Sequence, residues 1–168
     1  QVRSTVAYPV ASSHSTQDGR YATGLPTKQQ LPAIEGWFTM DADEPHLLGS
    51  KCTSCGTYAF PAASHFCGNP ACAGTEFDTV ELSRTGTVWS FTDNRYQPPE
   101  PSIPPDPFEP YVIAAVQLAE EGLVILGQLT LGSTTADVAV GDEVELVLEP
   151  LYEDDEAEHL VWKWKVVR

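Results

Sequence analysis

The chain has 168 residues, enough for one domain with a substantial core or for two small modules, and its 42% hydrophobic, 20% charged and 10% aromatic content is that of a globular protein. Nine Lys and Arg stand against 24 Asp and Glu, a formal charge of −15 with a pI near 4.4. A surface this acidic repels phosphate backbones and anionic bilayers, which argues against nucleic-acid and membrane partners, and no apolar run approaches the ~18 residues of a membrane span.

Residues 1–30 are rich in Ser, Thr, Gln and Gly without apolar periodicity and read as a flexible extension. No basic start precedes an apolar core there, so no signal peptide is expected and the compartment reads as cytoplasmic. From Leu31 to Asp43, the residues Ile34, Trp37, Phe38 and Met40 stand at near-helical spacing, which predicts a short helical lead that Gly36 limits to a turn or two. Its expected role is to anchor on the module that follows.

All four cysteines lie within the next stretch, as Cys52-x2-Cys55, eleven residues, then Cys67-x4-Cys72. Clustering within 21 residues is the arrangement of a metal site rather than of a disulfide framework. Two thiolates separated by two residues can curl around one ion, and Gly56 supplies the left-handed conformation that the turn after Cys55 requires. Four thiolates close a tetrahedron and leave no position for water or substrate, so the expected cofactor is one structural Zn²⁺ per chain. Rubredoxin-like iron or two disulfides would use the same sulfurs, and His65 stands close enough to Cys67 to replace a thiolate. The other histidines, His14, His46 and His159, lack partners at ligand spacing and read as surface residues.

After residue 80 the pattern turns to period two. Strands are expected at Thr85–Tyr96, with Val88, Ser90 and Thr92 alternating against Trp89 and Phe91, and at Tyr111–Leu118, Leu123–Leu131, Val144–Leu148 and His159–Val167. In the last, Trp162 and Trp164 fall on one face, expected to be core, and Lys163 and Lys165 on the other. The charge run Glu149–Glu158 reads as a solvated hairpin loop. Five turn-linked strands fit an OB-type barrel. The fold class is therefore mainly β, with 1–30 as extension, 31–80 as lead and ribbon, and 81–168 as the barrel domain.

No nucleophile elbow, phosphate loop, His-Glu-x-x-His or uncommitted Cys is present, so no catalytic residue is assigned. A different feature looks built for contact. Gln97–Pro110 carries seven prolines between the first two barrel strands, a stiff arm on which Ile103, Pro104, Pro105 and Phe108 are the candidate partner contacts.

The order Leu48-Gly49-Ser50-Lys51-Cys52, Cys55-Gly56, Phe60-Pro61, the second Cys pair, Ser83-Arg84-Thr85-Gly86-Thr87-Val88-Trp89-Ser90 and the terminal Trp162-Lys163-Trp164 resembles the DUF35 family over about residues 31–168. The resemblance implies a rubredoxin-like zinc ribbon joined to an OB-fold, in an accessory protein of thiolase-superfamily enzymes. It further implies a hetero-oligomer that supports acyl-CoA carbon–carbon bond chemistry, with acyl-CoA at the interface. Asp43–Leu48 and Leu151–Asp155 look most like the steroid side-chain aldolase branch, in which the domain can be part of a larger fusion. The rival readings are a single-stranded nucleic-acid-binding OB protein and an iron electron carrier. Against the first, residues 81–168 hold 17 acidic and 5 basic side chains.

Overall fold

The computed structural model describes residues 28–99 and 107–168. Nine strands follow one another with no helix among the described residues: β1 Gln29–Pro32, β2 Leu48–Cys52, β3 Tyr58–Ala59, β4 Phe77–Glu81, β5 Thr85–Asn94, β6 Tyr111–Leu118, β7 Leu123–Leu129, β8 Glu143–Glu153 and β9 Ala157–Val166. The five strands expected after residue 80 are all present.

β5, β6 and β7 form an antiparallel meander, β7 pairs in parallel with β9, β9 returns antiparallel to β8, and β8 closes on the start of β5. That circuit is a closed five-stranded barrel of OB type. Alternate residues face inward, and Val88, Ala114, Val116, Ile125, Leu129, Val144, Leu146 and Trp164 fill the interior. Gly127 makes room for two indoles there. A Cβ at that position would sit 2.7 Å from Trp164 Nε1 and 3.0 Å from Trp162 Nε1.

The helical lead is not formed. β1 instead pairs in parallel with β9, Leu31 opposite His159, and Phe38 bridges to Leu47. Gly36 takes φ 75°, a turn conformation, and the open edge of β9 offers backbone hydrogen bonds that one isolated helical turn could not match. The anchoring expected of this segment holds for Trp37 and Phe38, whose rings lie 6.0 and 5.8 Å from Trp162, whereas Met40 is 40% exposed. β1 begins at Gln29, within the stretch read as extension; residues 1–27 lie outside the described residues.

Three other expectations change. The charge run is mostly strand: β8 continues to Glu153 and β9 starts at Ala157, because Asp154 accepts the amide protons of Glu156 and Ala157 and turns the chain in three residues. Lys163, expected to face solvent, is 1% exposed and lies 3.4 Å from the Glu149 carboxylate. A bulge between Val88 and Ser90 breaks the alternation of β5, so Ser90 and Thr92 face outward with Trp89, which is 63% exposed, and Phe91 turns toward the core that Val88 fills.

Candidate metal centre

A second sheet, β3-β2-β4, carries the cysteines. Cys52 ends β2 opposite Phe77 of β4, and the chain then curls through the first knuckle, with the Gly56 amide bonded to the Cys52 carbonyl at 2.8 Å. Gly56 adopts φ 75°, as the turn demands. The second knuckle is longer, as its four intervening residues require. The Asn69 carbonyl accepts from the Cys72 amide, the Asn69 side chain accepts from the Ala71 amide, and the amides of Asn69 and Gly74 point at Cys67 Sγ and Cys72 Sγ at 3.4 and 3.3 Å. The Cys67 amide reaches the Gly74 carbonyl and closes the loop.

These turns bring the four sulfurs within 4.8 Å of one another. Cys55 and Cys67 stand 3.5 Å apart, Cys52 and Cys72 3.9 Å. A sulfur pair at disulfide distance would be ~2.05 Å apart. Sulfurs at ~2.3 Å from a common tetrahedral ion would be ~3.8 Å apart, so the spacing is that of a metal cage. The cage is tight enough to dictate Gly74: a Cβ there would lie 2.8 Å from Cys52 Sγ and 3.2 Å from Cys72 Sγ. His65 is exposed and outside the cluster.

The clustered thiols do not share one acidity. Hydrogen bonds from the Thr57 side chain and amide hold Cys55 down at about 6. The Gly74 amide lowers Cys72, but the Cys55 thiol and burial outweigh it and carry Cys72 up to about 11. Cys67 rises too, its bond from the Asn69 amide outweighed by burial and by the thiols of Cys55 and Cys52. Like groups this close resist joint ionisation, and a divalent ion bound by all four removes the conflict. Thr57, two residues after Cys55, was not singled out from the sequence; a hydroxyl at that offset in a knuckle is the signal that could have found it.

The ribbon is stitched to the barrel. His46 Nδ1 donates to the Leu82 carbonyl, Arg84 donates to the Asp43 carbonyl, and Glu121 in the β6–β7 turn accepts from the Ser83 amide and hydroxyl. His46 and His159 are thus not simple surface residues; His159 stacks on Tyr152 and pairs with Asp154 at 2.8 Å. Phe60 of the ribbon meets Trp162 edge-on at 5.8 Å, and Leu47 and Leu82 join the barrel core. Of the candidate contact arm, Ile103, Pro104 and Pro105 lie outside the described residues. Phe108 is half-buried, its ring 6.3 Å from Tyr111.

Comparison with known proteins agrees with this architecture. Residues 41–78 match the ChsH2 rubredoxin-like zinc ribbon domain, and residues 79–149 match the ChsH2 C-terminal OB-fold domain. A DUF35 domain-containing scaffold protein of Methanocaldococcus jannaschii is 34% identical over 123 residues, covering 71% of this chain and 79% of that protein. The benzoylsuccinyl-CoA thiolase subunit BbsA of Geobacter metallireducens is 33% identical over 111 residues, 66% of this chain and 67% of that protein. Among solved structures, the Ltp2-ChsH2(DUF35) aldolase superposes with a TM-score of 0.52 at 30% identity, covering 72% of this chain and 84% of that one.

Proposed function

The chain belongs to the DUF35 family, and we propose that it is a non-catalytic accessory subunit that binds a thiolase-superfamily enzyme and supports its acyl-CoA carbon–carbon bond chemistry. The observation that carries this reading is that relatives matched over two thirds or more of their length are a scaffold protein and a thiolase subunit, and that a solved neighbour is an Ltp2-ChsH2(DUF35) aldolase. The residues are consistent with it. The four thiols form a closed set, with none left over as a nucleophile. Zn²⁺ bound by Cys52, Cys55, Cys67 and Cys72 would supply folding free energy rather than chemistry, because a four-sulfur shell presents no open coordination position.

The catalytic groups then reside on the partner, and the acyl-CoA lies at or near the shared interface. The steroid side-chain retro-aldolases are the branch we favour, on the phrases Asp43–Leu48 and Leu151–Asp155. The domain limits proposed are 1–30, 31–80 and 81–168, and the cytoplasm is the proposed compartment. Among the described residues no helix is long and apolar enough to cross a membrane. The arm Ile103–Phe108 is proposed to add contacts, since a Pro-rich segment loses little conformational entropy on docking.

Purification of the tagged full chain from its native cells, with mass identification of what remains bound, tests the assignment. A stoichiometric thiolase-fold enzyme is expected. If none is retained, or if the chain alone turns over an acyl-CoA, the assignment is wrong.

A further inference from the structure

The outer face of β5, β6 and β7 departs from what a solvated sheet face looks like. The register sets three rows across the strands: Thr87, Gln117 and Val124; Ser90, Ala115 and Leu126; Thr92, Ile113 and Gln128. None of the nine is charged, in a chain with 33 charged residues. Leu126 is 64% exposed and Val124 46%, while Ala115, opposite Leu126 on β6, is down to 9%. The β5 bulge falls at the middle row, so Trp89, 63% exposed, and Ser90 lie side by side on the outer face. This leaves the largest apolar side chain of β5 in water. Leaving it there has no benefit to the fold, because Val88 already fills the interior position.

We infer that this face, centred on Trp89 and Leu126, is where the thiolase-superfamily enzyme docks. The inference rests on the functional reading above and gives it a location. Charge depletion, a central aromatic and a flanking polar rim are the composition of an interface core. The rim is acidic: Glu143 stands across from Thr87 on β8 and Glu120 in the β6–β7 turn, both exposed. With a chain charge of −15, the complementary surface is an apolar patch bordered by Lys and Arg. The three rows span roughly 17 Å along the strands by 10 Å across, on the order of 200 Å² in projection. A standard interface takes ~800 Å² per side, so the face is the apolar centre of a larger contact. Exposed aromatics on an OB sheet also suit base stacking, but the acidic rim opposes a phosphate backbone.

The test uses the full chain and the purified enzyme subunit identified with it. Affinity is measured by calorimetry for wild type, Trp89→Ala, Leu126→Glu and, as a control elsewhere on the surface, Met40→Glu in the segment after β1. Far-UV circular dichroism and metal content are checked in each. The expected result is a tenfold or greater loss for Trp89→Ala and for Leu126→Glu, with Met40→Glu within threefold of wild type. Acrylamide quenching of the exposed Trp89 should also fall in the complex, because Trp162 and Trp164 are already buried and Trp37 is half-buried against Trp162. Unchanged affinity in both face variants overturns the location while leaving the functional reading intact. Failure of any thiolase-superfamily subunit to bind wild type removes both. Wild-type self-association that Leu126→Glu abolishes would assign the face to a second copy, and oligonucleotide quenching of Trp89 at about 0.15 M salt would assign it to nucleic acid; each overturns the inference.

Discussion

Trp162→Ala should separate the ribbon from the barrel. The Trp162 ring is where three parts of the chain meet: Trp37 stacks on it at 6.0 Å, and Phe38 and Phe60 meet it edge-on at 5.8 Å each. Its Nε1 donates to the Leu126 carbonyl at 3.2 Å, and the residue is 8% exposed. Trp-to-Ala truncations in cores cost about 3–5 kcal/mol. The three aromatic pairs, at roughly 0.5–1.5 kcal/mol each beyond area burial, and the lost bond place this site within that range. For a chain of this length that is a drop of roughly 6–20 °C in Tm. Urea unfolding in excess zinc measures it, and Trp162→Phe, which keeps a ring, should recover more than half. Because Phe60 belongs to the ribbon, a colorimetric chelator should also extract metal faster from Trp162→Ala than from wild type. A cost below about 1 kcal/mol, or unchanged extraction beside a full stability loss, would refute the idea that this ring couples the two units.

Elemental analysis of the purified chain should find about one zinc per chain in a colourless protein, and Cys52→Ser or Cys67→Ser should lose it and unfold the ribbon; iron, or two disulfides and no metal, would sink that expectation. The Asp154 carboxyl is held at about 2, against an ordinary 3.8, by the Ala157 amide and the adjacent His159. A depressed folded value means its stabilisation is present above pH 4 and vanishes as pH falls toward 2, so the wild-type advantage over Asp154→Asn in urea midpoint should shrink as pH falls from 4 toward 2. A gap that persists to pH 2 would contradict the charge-based account. Glu149→Gln, which strands the buried Lys163 ammonium, should cost about 3–5 kcal/mol, while Lys163→Met should cost markedly less. Equal costs in urea unfolding would show that the pair is not electrostatically coupled.

The barrel and the cage were legible because each rests on a local pattern. Period-two runs located all five strands, and Cys-x2-Cys with Gly56 set a knuckle that pairing of β2 with β4 completes. What escaped depends on partners distant in sequence. Ile34 to Met40 has helical spacing, yet β9, more than 115 residues on, captures the chain just ahead of it as β1. Lys163 alternates with Lys165 as an outward residue should, but it is buried where Lys165 is exposed, and Glu149 on β8 compensates the burial. The bulge at Val88/Ser90 shifts the outward residues that follow it, Ser90 and Thr92, with no Gly or Pro at the bulge to mark it, so their side follows from register alone. Binary patterning sees faces, not which faces are covered.

The most direct test of the account is a titration of the purified thiolase-superfamily partner with this chain, following acyl-CoA cleavage. The account predicts negligible turnover by this chain alone, activity that rises and saturates at a fixed stoichiometry, and a metal-free Cys52→Ser chain that fails to support it. Turnover by this chain without the partner, or full activity of the partner without this chain, would contradict it.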